Sequence, residues 1–123
     1  MKFILLVGAG SFIGGIIRYL LSEFIQTKTL SSFPYGTLSV NLIGCFAIGM
    51  VYGLIEKGAI SEEWRLLVAT GILGGFTTFS AFSMETFSLI RNGDILYAIM
   101  YASLSVLLGI LATAIGFSLI KLI

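Results

Sequence analysis

The sequence predicts an all-α membrane protein with four transmembrane helices, and three properties of the chain carry that prediction. The mean hydropathy is +1.08, and only 11% of the 123 residues are charged, against about 25% in ordinary soluble domains. The apolar residues form four runs of about twenty residues or more, the length that an α-helix needs to cross ~30 Å of hydrocarbon. The chain is therefore expected to form a single transmembrane domain over residues 1–123.

Charged and polar clusters separate the four predicted spans. The opening segment resembles a signal peptide in its lysine, apolar run and small residues, but its apolar run continues to about Phe24 and predicts an uncleaved span. The sole proline, Pro34, lies in the first loop, and the turn signal Asn92-Gly93 lies in the third. The spans cover about residues 3–25, 36–55, 66–90 and 95–120.

Basic residues show only a weak bias toward one end of the predicted bundle. The end with both termini carries Lys2, Lys57, Arg65 and Lys121, and the other end carries Lys28 and Arg91. So small a bias permits a single orientation with the termini inside, or insertion in both orientations as an antiparallel pair. A homodimer is expected in either case, because polar residues in every span need partners away from lipid.

The residue inventory argues against an enzyme. Histidine is absent, which removes the usual general base and the commonest metal ligand. Cys45 is the only cysteine, so the chain has no intrachain disulfide and no cysteine-based metal site. Cys45 is interpreted as a small packing residue.

Glycines recur at a spacing of four residues in the first three spans. This pattern lets helix backbones approach closely in lipid, and packing is sufficient to explain it. The pairs are Gly10 and Gly14, Gly49 and Gly53, and Gly71 and Gly75.

The third span contains its weakest helix formers near its midpoint. Gly74 and Gly75 are followed by Thr77 and Thr78, residues with low helix propensity. The cluster predicts a helix that is broken, although a packing kink is an open alternative. In transporters, unwound carbonyls coordinate cations and the N-termini of half-helices face anions.

Aromatic and hydroxyl side chains follow the predicted break. Phe79 and Phe82 are three residues apart and share a helix face, beside the hydroxyls of Thr78 and Ser80. The positive edge of a phenyl ring suits a small anion. Each phenylalanine could instead serve only in packing.

The other spans also carry polar residues, each with two interpretations. Asn41 could donate its amide protons to an anion or bind a neighbouring helix. Arg18 is a functional candidate because it is a charged residue within a predicted span, and Glu85 is a weaker candidate for the same reason. Alternatively, either side chain could extend to the membrane–water interface. The fourth span has a stripe with a step of four residues: Tyr97, Tyr101, Ser105, Gly109 and Thr113. Donors outnumber carboxylates, which favours an anion pathway.

Three motifs resemble the Fluc (CrcB) fluoride channels of bacteria: GGIIRYLL in the first span, FPYGTLSVNLIGCFAIG leading into the second, and GILGGFTTFSAFSMET in the third. The resemblance covers essentially the whole chain. It implies an antiparallel, dual-topology homodimer with two pores in the bacterial plasma (inner) membrane, exporting fluoride passively from the cytoplasm. The implied partners are fluoride, membrane lipid and a second copy of the chain, and no nucleic acid.

The resemblance also implies roles for individual residues. Gly74 and Thr77 would bind a structural Na⁺ through backbone carbonyls contributed by both subunits. Ala81 departs from relatives that have a hydroxyl there, and Gly109 interrupts the hydroxyl stripe. The implied fluoride pathway comprises Arg18, Asn41, Thr78, Phe79, Ser80, Phe82, Tyr101, Ser105 and Thr113.

Two alternatives belong to other functional classes. A small four-span multidrug exporter is expected to hold an acidic residue within its first span, where this chain has Arg18 and only Glu23 near the end. A non-transporting membrane assembly subunit would need no more than the glycine-rich helix faces.

Overall fold

The computed structural model describes all 123 residues, and the chain is entirely helical apart from its short connections. Four helical segments are long and apolar enough to cross a membrane, which confirms the predicted four-span architecture. Each segment extends slightly beyond its apolar run, because a helix can continue into the polar interface. The segments are Lys2–Thr29, Tyr35–Glu56, Glu62–Arg91 and Ile95–Leu122.

The third segment consists of two helices, and the other three segments are single helices. We name α1 (Lys2–Thr29), α2 (Tyr35–Glu56) and α5 (Ile95–Leu122). The first half of the third segment, α3, combines Glu62–Arg65, a π-helical stretch Leu66–Leu73 and a last α-helical turn Gly74–Phe76. Its second half, α4, is Phe79–Arg91.

Thr77 and Thr78 separate α3 from α4. Their backbones are extended, with φ −87° and ψ 156° at Thr77 and φ −151° and ψ 118° at Thr78. The interruption lies among the weak helix formers of the third span, so the third segment is two helices joined by an extended dipeptide.

Glycine faces hold the helices together in two pairs. In the pair formed by α1 and α3, a Cβ on Gly10 would lie 2.8 Å from the Cα of Gly71. In the pair formed by α2 and α5, a Cβ on Gly53 would lie 2.9 Å from the Cβ of Ile120. All three glycine pairs found in the sequence therefore lie at helix crossings, where only hydrogen fits.

Polar contacts close the two ends of the bundle. At the end with the termini, Lys2 pairs with Glu63, and Lys121 pairs with Glu56 at 2.7 Å. At the other end, Gln26 fixes the first loop: its amide N–H groups donate to the Ser31 and Phe33 carbonyls, and its oxygen accepts from the Gly36 N–H. The loop thereby places Phe33, 4% exposed, among the aromatic residues of the bundle.

Candidate functional site

The interruption of the third segment is held in place by α2. Asn41 Nδ2 donates to the carbonyl of Thr78 at 3.0 Å, and the Thr78 N–H donates to Asn41 Oδ1 at 2.8 Å. One side chain thus satisfies both backbone groups of an extended residue within a membrane segment. The second N–H of the Asn41 amide is not used in these contacts.

The same geometry removes the helical partner of the Gly74 carbonyl. In an unbroken α-helix the Thr78 N–H would donate to Gly74, but here it donates to Asn41. The Thr77 carbonyl faces Arg18, whose Nη1 donates to it over a long 3.4 Å. Two main-chain oxygens near the interruption are therefore weakly satisfied or unsatisfied by the helices.

The hydroxyls of the two threonines stabilise the ends of the helices. Thr77 Oγ1 donates to the Leu73 carbonyl at 2.9 Å, at the end of α3. Thr78 Oγ1 accepts the Ala81 N–H at 3.2 Å, which caps the start of α4, and lies 3.3 Å from Ser80 Oγ. The interruption is thus a pair of formed helix ends.

An uncharged groove of about 400 Å³ opens at the interruption. Phe79 and Phe82 lie along it with ring centroids 5.5 Å apart. Phe82 packs on Tyr101, whereas Phe79 is 79% exposed. The lining contains seven of the predicted pathway and cation residues: Asn41, Gly74, Thr77, Thr78, Phe79, Phe82 and Ser105.

A polar cavity of about 470 Å³ lies on the other side of Thr78, the one residue that it shares with the groove. Arg18 and Ser80 line this polar cavity, together with Thr37 and Glu85. The guanidinium is thus the one basic group that lines this cavity, beside the carboxylates of Glu23 and Glu85, and Thr78 forms the boundary between a charged compartment and an uncharged one.

Glu85 is held inside the bundle. Thr37 Oγ1 donates to its Oε1 at 2.7 Å, and the Tyr101 hydroxyl donates to its Oε2 at 2.6 Å. Tyr101 is fully buried, and Phe33 packs edge-on against its ring at 5.7 Å. Both carboxylate oxygens of Glu85 therefore have hydroxyl donors within the protein.

Sequence reasoning missed Thr37, and no local signal identifies it. Thr37 and Glu85 are 48 residues apart and lie on different helices. Tyr101 was found through the stripe of α5, but the stripe does not reveal that its hydroxyl is directed at a carboxylate.

The stripe on α5 contains one buried hydroxyl without a hydrogen-bond partner. Ser105 Oγ is buried and has no hydrogen-bond partner. Thr113 Oγ1 lies 3.0 Å from the Cys45 carbonyl and 3.1 Å from the Gly109 carbonyl, so its only proton is committed to the main chain. Ser105 also lines a third cavity, about 570 Å³, which continues from the groove along Gly109 and Thr113.

The structure brings the predicted residues together in two groups and leaves two residues apart. Tyr101 lines neither the groove nor the polar cavity, and Thr113 lines only the third cavity. The groove group is Asn41, Gly74, Thr77, Thr78, Phe79, Phe82 and Ser105. The polar-cavity group is Arg18, Thr78 and Ser80.

The lining of the groove favours the binding of a dehydrated anion. The groove is lined by Ser105, by Asn41 with one amide N–H not used in its contacts with Thr78, and by two phenyl rings, with no carboxylate to repel negative charge. No group of three or more histidine, cysteine, aspartate or glutamate side chains converges anywhere in the chain.

Comparison with known proteins relates the whole chain to one family. Residues 5–117 match the family described as "CrcB-like protein, Camphor Resistance (CrcB)". A protein of Chlorobium phaeobacteroides is 47% identical over 97% of this chain and 93% of its own length, and one of Flavobacterium psychrophilum is 41% identical over 98% of both. A protein of Aquifex aeolicus is 43% identical over 97% of both. All three are named fluoride-specific ion channel FluC.

Proposed function

The chain belongs to the CrcB family, and from that membership we propose that it is a fluoride channel through which fluoride leaves the cytoplasm passively. It is a multi-pass membrane protein, which in bacteria places it in the inner membrane, and an ion channel, not an enzyme. The observation that carries the proposal is the uncharged groove, where the unpartnered Ser105 hydroxyl lies in one cavity with Phe79 and Phe82.

Fluoride is small and strongly hydrated, so a pore must replace its water with closely placed donors. Ser105 and Asn41 supply donors at one wall of the groove, and the phenyl edges supply partial positive charge along it. Arg18 lies across Thr78 in the polar cavity, together with the carboxylates of Glu23 and Glu85. The groove itself holds no carboxylate or histidine, so movement down a gradient fits better than proton-coupled pumping.

We further propose that two copies assemble antiparallel to complete the pathway. Phe79 leaves most of its ring uncovered in the single chain, and Gly74 is exposed with no side chain within reach. A second copy against this face would cover both residues and close the open side of the groove. Insertion in both orientations fits the small charge bias between the two ends of the bundle.

A structural Na⁺ at the centre of that dimer also fits the donor set. Gly74 has lost its helical donor, and Thr77 has only a long contact with Arg18. These two carbonyls, with the equivalent pair from the second copy, would hold the ion. When bound, Na⁺ would supply the positive charge that satisfies carbonyls left free by a broken helix. The lack of any carboxylate cluster agrees with a carbonyl site.

Fluoride efflux from liposomes tests the proposed function. Purified protein in vesicles loaded with fluoride should release it rapidly once the membrane potential is clamped, whereas vesicles loaded with chloride should retain their contents. A protein that remains dimeric but releases neither ion would favour an assembly subunit. Release of organic cations against a proton gradient would favour a multidrug exporter.

The antiparallel arrangement has its own test. A tag at the C-terminus should be accessible from both faces of the membrane in about equal amounts, because each dimer would place one terminus on each side. Labelling from one face alone would exclude the antiparallel pair but would leave fluoride conduction to be decided by the efflux measurement.

A further inference from the structure

Gly44 lies one turn beyond Asn41 on the face of α2 that meets the interruption. It is buried, and a Cβ at this position would overlap the Cγ2 methyl of Thr77 and lie 3.4 Å from Cδ1 of Phe76. Most other tight glycines of the chain face backbone or helix-crossing residues, but Gly44 faces the side chain of the residue that ends α3.

The Thr77 side chain has little freedom to move away from Gly44. Its hydroxyl donates to the Leu73 carbonyl at 2.9 Å, which fixes the rotamer and leaves the methyl directed at α2. The next residue, Thr78, is held by two hydrogen bonds to Asn41. A larger residue at position 44 would therefore displace the Thr77–Thr78 dipeptide, or break these hydrogen bonds, before the methyl could turn aside.

We propose that Gly44 is a positioning residue for the ion pathway: the space above its Cα receives the Thr77 methyl and fixes the interruption relative to the groove. Asn41 fixes the position of the main chain at Thr78, and Gly44 fixes it at Thr77. One face of α2 therefore determines where the groove begins. This inference rests on the proposed function, because conduction is the property that the position of the dipeptide would control.

The test is a double-mutant cycle between positions 44 and 77. Gly44→Ala should slow fluoride efflux by about tenfold or more in the natural background, since overpacking at this site must move the dipeptide. In a Thr77→Ser background, which removes the methyl and keeps the hydroxyl, the same Gly44→Ala change should slow efflux by about threefold or less. Equal effects in the two backgrounds, or no effect of Gly44→Ala alone, would overturn the proposal.

Gly49→Ala is the matched control. Gly49 lies on α2 and is equally tight, but it contacts the main chain of α5 at Thr113 and Phe117, remote from the interruption. Its effect should be the same in the natural and Thr77→Ser backgrounds. Rescue of Gly49→Ala by Thr77→Ser would show a general gain in stability and would overturn a specific fit between Gly44 and Thr77.

Thermal unfolding of the same variants in detergent separates this inference from the proposed function. The steric coupling between positions 44 and 77 should also appear in the unfolding midpoints. Natural protein that conducts no fluoride would overturn the proposed function and the role of Gly44 in conduction together. Coupled midpoints with uncoupled efflux in a conducting protein would overturn the positioning role alone.

Discussion

Asn41 and Thr78 form a two-point contact between α2 and the interrupted third segment: the amide of Asn41 donates to the Thr78 carbonyl and accepts the Thr78 N–H. An extended residue at membrane depth has no water to satisfy its backbone groups, so such a residue needs a partner within the protein. The interpretation of Asn41 as a residue that binds a neighbouring helix is thus compatible with its proposed place in the pathway, since one amide proton is left for a ligand.

Replacement of Asn41 should destabilise the protein. Asn41→Ala leaves both backbone groups of Thr78 without partners and should lower the free energy of unfolding by about 2–4 kcal/mol. Unfolding in detergent monitored by circular dichroism measures the change. Asn92→Ala, in an exposed turn, serves as the control and should have little effect. Similar midpoints for the two variants would contradict the role of Asn41 at the interruption.

The two groove phenylalanines should affect conduction alike and stability differently. Phe79→Ile and Phe82→Ile each remove a ring edge and should slow fluoride efflux by about tenfold or more. Phe82→Ile should also lower the unfolding midpoint, because Phe82 packs on Tyr101 at 5.1 Å, whereas Phe79 is largely exposed within one chain. Phe87→Ile, on the same helix but outside the groove, is the control. Unchanged efflux in both groove variants would make them packing residues.

Substitutions at Ser105 and Thr113 should have different effects on fluoride conduction and on stability. Ser105→Ala removes a hydroxyl that has no partner, so the unfolding midpoint should stay the same or rise while fluoride efflux falls. Thr113→Val removes a committed donor and should cost about 1 kcal/mol of stability, with a smaller effect on efflux. Fluoride efflux and the unfolding midpoint, measured on both variants, test this difference. A loss of stability in Ser105→Ala would show that its hydroxyl has a partner in the membrane.

Tyr101 should contribute to stability through Glu85. Tyr101→Phe keeps the ring but removes the donor to Glu85 Oε2, and should lower the free energy of unfolding by about 1.5–3 kcal/mol, the range for hydrogen bonds to charged groups. Tyr97→Phe is a matched control: Tyr97 lies on the same helix and also packs edge-on against Phe33. Equal midpoints in the two variants would show that the contact with Glu85 adds no stability.

The sequence predicted the spans well because lipid imposes a simple requirement on length and polarity. It also indicated where the third span would be interrupted, because Gly74, Thr77 and Thr78 are poor helix formers in their own right. The hydrogen-bond partners of individual side chains on other helices were harder to predict from the sequence. Glu85 has its donors on α2 and α5, and nothing local to Glu85 specifies how those helices are rotated.

The polar stripe on α5 likewise shows that hydrogen-bond partners are hard to predict from the sequence. A step of four residues advances a helix by about 40° beyond a full turn, so Tyr101 and Thr113, three steps apart, differ by about 120° in direction. They accordingly have different neighbours: Tyr101 meets Glu85, and Thr113 meets the main chain of α2. The stripe identified polar residues correctly but could not say which of them keeps a free proton.

The π-helical stretch Leu66–Leu73 has a consequence for the length of the third segment. Within it the Gly74 N–H reaches back five residues to the Ala69 carbonyl, so the stretch holds more residues per turn than an α-helix. Deleting one residue there and restoring ordinary α-helical winding would leave the residues that follow close to their present direction, because the wider turn is what accommodates the extra residue. The winding between Arg65 and Gly74 thus helps to set the direction in which the interruption meets α2, and an insertion or deletion that kept this winding unchanged would turn the interruption away from α2.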